Sequence, residues 1–209
     1  MADELIFYTN PMSRGRIGRW MLEESGADYR TELLDYASTM KDAAYLAVNP
    51  MGKVPAIVHK GKVVTECAAI CAYLAEAFPE AGLAPTPEER ADYYRWLFFA
   101  AGPLEQAVTN NFAKFDPSPE QRRMFGYGNY ALAVDVLEQA VRAHPYIAGD
   151  RFTAADVYVG SAIGWGTQFG TLPKRDAFLD YFARLTARQA YQRATEKDDA
   201  AMVAIPAAG

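Results

Sequence analysis

Asn49-Pro50-Met51-Gly52-Lys53-Val54-Pro55-Ala56 is the stretch around which the chain is arranged. Asn-Pro and Met-Gly mark a turn, and the apolar run Ala56-Ile57-Val58 that follows reads as a strand. Pro55 stands at the entrance to that strand, where a residue with no N–H for the sheet ladder is tolerated. The proline also biases Val54 toward an extended backbone. An extended residue ahead of a proline can keep its own N–H and C=O open to an extended peptide ligand. A cis Val54–Pro55 bond would hold such a ledge in a tight turn. The plainer alternative is a loop proline that only starts a strand.

Upstream, Leu5-Ile6-Phe7-Tyr8 is a short apolar run closed by Thr9-Asn10-Pro11, which suits a buried strand. Ser13 can then cap a helix in which Ile17, Trp20, Met21 and Glu24 recur at helical spacing, with Gly26 as its stop. Tyr29 to Leu34 reads as a second strand and Lys41 to Val48 as a short helix. Downstream, Ala56 to His59 and Val63-Val64 form a hairpin around Gly61. Glu66 to Phe78 then reads as a helix. The first module is therefore β-α-β-α-β-β-α over residues 1–78. Pro79, Gly82, Pro85 and Pro87 crowd together, so residues 79–86 read as a linker.

Residues 87–209 carry helical spacing and no convincing strand, which makes the second domain all-α. Thr86 and Pro87 suit a helix start, and Pro103 should bend the helix it interrupts. A second long helix is expected from about Glu120 to Ala143, stopped by His144-Pro145. Thr153 and Asp156 form a capping-box pattern, flanked by Phe152 and Val157 at staple positions. The helix they open is rich in small residues (Gly160, Ser161, Ala162, Gly164, Gly166) and should be closely packed. One or two short helices follow from Lys174, and the tail from Ala200 to Gly209 should be loosely held.

The totals narrow the class. The 209 residues are 51% hydrophobic and 22% charged, an ordinary globular composition. A formal net charge of −5 with no basic segment argues against nucleic acid as a partner. No apolar run is long enough to span a membrane, and no secretory leader is apparent. Cys67 and Cys71, four residues apart on one expected helix, do not read as a structural disulfide. A reducing cytoplasm therefore fits better. His59 and His144 lie far apart with no ligand pattern, so no metal site is expected.

Three features of the first module line up. Ser13 follows strand one in Asn10-Pro11-Met12-Ser13. Lys53-Val54-Pro55 precedes strand three. Thr65-Glu66-Cys67-Ala68-Ala69-Ile70 joins strand four to its helix. In this order, with the linker, the helical second domain and Phe152-Thr153-Ala154-Ala155-Asp156, the chain resembles a glutathione transferase. The Asn-Pro-Met-Ser turn is most similar to the serine-type enzymes, the phi and theta classes and their bacterial relatives. The resemblance implies a thioredoxin-like α/β domain followed by a helical bundle. It implies a cytoplasmic homodimer that detoxifies small hydrophobic electrophiles by conjugating them to glutathione.

The same resemblance implies the site. Val54 would pair its backbone with the cysteinyl unit of glutathione. Glu66 would accept from the γ-glutamyl ammonium, and residue 67, at a helix N-terminus, would hold the γ-glutamyl carboxylate. Lys53 and Lys41 would hold the glycyl carboxylate. Ser13 is the candidate catalytic residue: a hydroxyl donating to sulfur, together with the positive end of a helix, favours the thiolate. Tyr8 is the rival, and Arg14 and Arg16 are near enough in sequence to add positive potential. Met12, Phe112 and Trp165 are candidates for the apolar wall that holds the electrophile. Cys67 departs from the serine usual in the family, and a thiol is the weaker donor. Two alternatives remain in view. One is a glutathione-binding or protein-interaction module without transferase activity. The other is a glutathione-dependent isomerase or dehalogenase using the same thiolate.

Overall fold

The computed structural model describes residues 4–204. The chain falls into two compact units: the described residues through Ala84 together with those from Ala187 onward, and Pro85–Thr186.

The first unit is built on a four-stranded sheet of β1 (Leu5–Thr9), β2 (Arg30–Leu33), β3 (Ala56–His59) and β4 (Lys62–Thr65), in the order β2-β1-β3-β4. β1 runs parallel to β2, with Ile6 opposite Arg30, and antiparallel to β3, with Phe7 opposite Ile57. β3 and β4 form the expected hairpin, turning on Lys60 and Gly61, both at positive φ. Phe7 and Ile57 are fully buried on neighbouring strands, so the sheet centre is fixed by its most apolar positions. Helix α1 (Gly15–Ser25) ends on Gly26 in the left-handed conformation, as the sequence predicts. The helix expected over 41–48 is split into a 3₁₀ turn (Thr39–Lys41) and α2 (Ala43–Leu46). Asp42, at ψ 149°, interrupts it. Helix α3 (Cys67–Ala77) completes the module.

The C-terminal helix α9 (Gln189–Ala204) lies along α1. Arg19 and Asp198 make an ion pair at 3.0 Å with both side chains almost wholly buried. Trp20 meets Tyr191 edge to face at 4.9 Å. Arg188 places both donors on Glu24, each at 2.7 Å. The sequence leads one to expect only short helices after Lys174 and a loose tail from Ala200. The final helix has 16 residues and takes in residues 200–204; the rest of that tail lies outside the described residues.

In the second unit, α4 (Arg90–Phe99) passes through a π-helical turn at Ala100–Leu104 into α5 (Glu105–Phe112). Pro103 sits inside that turn, so the expected bend takes the form of a widened turn that absorbs the missing N–H. The start of α4 is displaced from Pro87 to Arg90. Thr86 and Glu89 still exchange bonds, Thr86 N–H to Glu89 at 2.9 Å and Glu89 N–H to Thr86 Oγ1 at 3.3 Å. The helix expected from Glu120 begins only at Tyr130, as α6 (Tyr130–Ala143). Gly128 takes φ +69° and Asn129 caps the new start, accepting from Leu132 N–H at 2.9 Å. Helix α7 (Ala154–Phe169) is buried along most of its length. Side chains at Gly164 and Gly166 would collide with Phe182 and Leu172, which explains its run of small residues. Phe182 lies on α8 (Asp176–Thr186).

Candidate active site

The loop before β3 is held by its neighbours, and Val54 within it is half-buried. The Val54–Pro55 bond is cis. Lys53 C=O accepts from Tyr45 O–H at 2.5 Å and from Asn49 Nδ2 at 2.8 Å, which fixes the residue before Val54. Burial pushes the Tyr45 phenol up to about 12, so it remains a donor at any ordinary pH. No backbone hydrogen bond to Val54 N–H or C=O is found among the described residues, as an open ledge requires. Lys41 Nζ donates to Gly52 C=O at 2.7 Å, and Lys53 is exposed on the same loop.

Asn10-Pro11-Met12 and Asn49-Pro50-Met51 fold alike. Each asparagine Oδ1 accepts the N–H two residues on, at 2.9 and 3.1 Å. Each Nδ2 donates across to a carbonyl at 2.8 Å, Leu34 in one case and Lys53 in the other. These are two Asx turns that pin two loops.

Ser13 stands one residue ahead of the position expected of a cap, because Arg14 is the N-cap of α1 and the helix opens at Gly15. Its hydroxyl nevertheless accepts Gly15 N–H at 2.9 Å, and it donates to Asn10 C=O at 2.6 Å. Ser13 is 8% exposed. Tyr8 packs its ring against Tyr45 at 5.4 Å, in an apolar cluster with Met40 and Ala56 that Val54 also joins. Arg16 is tied down: it donates to Pro11 C=O at 2.6 Å and pairs with Asp199 at 2.7 Å. Its charge is therefore largely compensated.

At the start of α3, Glu66 holds φ +64° and ψ 120°, a conformation side chains rarely adopt. Its exposed carboxylate has no partner among the described residues. No side chain caps α3, and the amides of Ala68 and Ala69 in its first turn remain available to an anion. Cys67 Sγ donates to Arg14 C=O at 3.6 Å, which links the openings of α3 and α1. Cys67 and Cys71 form no disulfide, and burial holds Cys71 well above the usual thiol range. Ser13, Cys67, Glu66 and the Lys53–Val54 loop thus all belong to the first unit, with Ser13 and Cys67 joined through Arg14.

The apolar candidates are distributed over both units. Met12 is 60% exposed in the first; in the second, Phe112 is 75% exposed and Trp165 is half-buried, edge to face with Phe169. Sequence reasoning missed the Tyr45 and Asn49 clamp on Lys53, the backbone of Glu66 and the Gly15 N–H that donates to Ser13. The repeated Asn-Pro-Met carried a signal for the clamp; nothing in the sequence marks Glu66 as strained. Among the described residues no cluster of His, Cys, Asp and Glu could hold a metal ion, and no helix is long and apolar enough to cross a membrane.

Residues 13–77 match the family model for the glutathione S-transferase N-terminal domain. The chain is 30% identical to glutathione S-transferase GstA of Escherichia coli O157:H7, over 69% of this chain and 73% of the relative. A glutathione transferase from Methylococcus capsulatus shares 30% identity at a TM-score of 0.76, covering 93% of this chain and 98% of the other. A sphingomonad glutathione S-transferase complexed with glutathione shares 26% identity at a TM-score of 0.74, again covering 93% and 98%.

Proposed function

Because the chain belongs to the glutathione S-transferase family, we propose that it binds glutathione along the Val54 ledge and conjugates it, through its sulfur, to a hydrophobic electrophile. The observation that carries this reading is the pairing of two open groups in the first unit. Val54 offers an unpaired backbone N–H and C=O, and Glu66 offers an unpaired carboxylate at an uncapped helix start. A tripeptide with an internal amide pair, an ammonium and two carboxylates satisfies these groups, and Lys53 and Lys41 suit its glycyl carboxylate.

In this mechanism Ser13 turns its O–H from Asn10 C=O to the bound sulfur. The Asn10 carbonyl keeps the Ser13 N–H, at 3.0 Å, so it is not left bare. A free thiol ionises near pH ~8.5; lowering that by about 2 units takes roughly 2.7 kcal/mol. One good hydrogen bond to an anion plus the dipole of α1 supplies that much. The thiol proton passes to solvent; the thiolate sulfur then forms a bond to the electrophilic carbon while the leaving group departs with its electron pair, and the enzyme adds rate by orienting the two reactants. Substrate contacts are proposed at Met12 in the first unit and at Phe112 and Trp165 in the second. A cytoplasmic homodimer active in detoxification follows the family pattern.

The test pairs calorimetric titration of glutathione with turnover of a chloronitroaryl electrophile, on wild type and Glu66→Gln. Wild type should bind and turn over, and the variant should bind at least about tenfold more weakly, as loss of a charge-assisted bond requires. Binding without turnover of any electrophile would replace the transferase with a binding module. Turnover confined to an isomerisable substrate would replace it with an isomerase.

A further inference from the structure

Thr9 is the last residue of β1 and is wholly buried. Its Oγ1 is the one buried side-chain oxygen or nitrogen among the described residues found without a hydrogen-bond partner. A buried hydroxyl without a partner costs on the order of 1–3 kcal/mol, so its retention calls for a use. The oxygen is aimed at the opening of α1. A Cβ at Gly15 would lie 1.9 Å from Thr9 Oγ1 and 2.9 Å from Ser13 Oγ, so both hydroxyls border one point that only a glycine leaves empty.

As the site stands, Ser13 Oγ has no need of Thr9. It accepts from Gly15 N–H and gives its proton to Asn10 C=O. The need arises when that proton is turned to a bound sulfur. We infer that Thr9 is a positioning residue for Ser13: in the glutathione complex the Thr9 O–H donates to Ser13 Oγ while Ser13 O–H donates to the thiolate. As the site stands Thr9 Oγ1 makes no hydrogen bond to Ser13 Oγ, so forming one takes a turn of the hydroxyl-bearing side chains as well as of the O–H bonds; each proton stays on its own oxygen. The arrangement satisfies the orphaned hydroxyl. It also polarises Ser13, because a hydroxyl that accepts a hydrogen bond donates a stronger one. Gly15 keeps the space between them clear. The inference rests on Ser13 being the thiolate donor.

The experiment compares Thr9→Val, Thr9→Ser and Ser13→Ala with wild type. It reads the pKa of the bound glutathione thiol by its ultraviolet thiolate absorbance, and the melting temperature without ligand. Thr9→Val should raise the bound thiol pKa by about half a unit to one unit. It should leave the melting temperature unchanged or higher, since it replaces an unpaired hydroxyl with a methyl of the same shape. Thr9→Ser should restore the wild-type pKa. Should the valine variant not fold, Thr9→Ala carries the same expectation for the pKa. If Ser13→Ala removes the wild-type pKa depression while Thr9→Val and Thr9→Ala leave it intact, Thr9 only packs and the inference is overturned. If Ser13→Ala leaves the depression in place, the reading of Ser13 fails, and the role of Thr9 with it.

Discussion

Glu66 combines an exposed, unpartnered carboxylate with a backbone at φ +64°, which costs on the order of 1–3 kcal/mol for any residue but glycine. A position held this way for its side chain should trade stability against binding. Glu66→Gly is expected to stabilise the protein by about 1 kcal/mol in denaturant unfolding, while weakening glutathione binding. A glycine variant less stable than wild type would mean that the backbone is not strained. Tyr45 acts beside the same ledge. Its phenol ionises near 10 when unperturbed and is pushed up to about 12 by burial. Its contribution is therefore fully present below pH 10 and is lost as pH rises through about 12. The stability gap between wild type and Tyr45→Phe, about 1 kcal/mol at neutral pH, should close over that window. A gap constant with pH would show that the Tyr45–Lys53 bond does not contribute. Turn residues pointed to Val54 and Pro55, while Ser13 and Glu66 were singled out through the resemblance to a family. Neither exposed Thr9, whose importance lies in a bond it lacks, or the Glu66 backbone, because φ is set by the β4–α3 junction and not by residue type.

Helix boundaries divide in the same physical way. The Thr153–Asp156 start of α7 was legible because its bonds are local: Asp156 Oδ2 accepts Thr153 N–H at 2.8 Å. Less visible is the other oxygen, which accepts Ile147 N–H at 2.8 Å and Tyr181 O–H at 2.7 Å. One carboxylate thus ties the start of α7 to the 147 loop and to α8. Asp156→Ala should destabilise by about 3–5 kcal/mol in denaturant unfolding, far more than the ~1 kcal/mol of a cap alone. A loss near 1 kcal/mol would reduce Asp156 to a cap. Helix α6 starts ten residues after the expected Glu120, because apolar spacing runs on through Phe125 and Tyr127 without a helix. Those rings pack together at 5.8 Å in a non-helical loop, so the apolar pattern there reflects burial rather than helical period.

Across the whole chain, the last helix belongs with the first unit, and nothing local could have announced it. Arg19 and Asp198 are 179 residues apart in sequence, and neither has a neighbour that marks it as buried. Asp198→Ala leaves the Arg19 guanidinium buried against Phe7 and Tyr29 without its counter-ion. It should therefore destabilise the protein by about 3–5 kcal/mol, read as a lowered denaturation midpoint. A midpoint like that of wild type would place the pair in solvent. The sheet, α1 and α3 hold Ser13, Val54 and Glu66 within this same unit, so the chemistry proposed for them is testable in one titration. The ionisation of the bound glutathione thiol, followed by ultraviolet thiolate absorbance against pH in wild type and Ser13→Ala, tests that chemistry most directly. A wild-type pKa about 2 units below the free value of about 8.5, returning toward it in Ser13→Ala, is the expected result. A bound thiol that ionises at its free value in wild type, or equally low in both proteins, would contradict it.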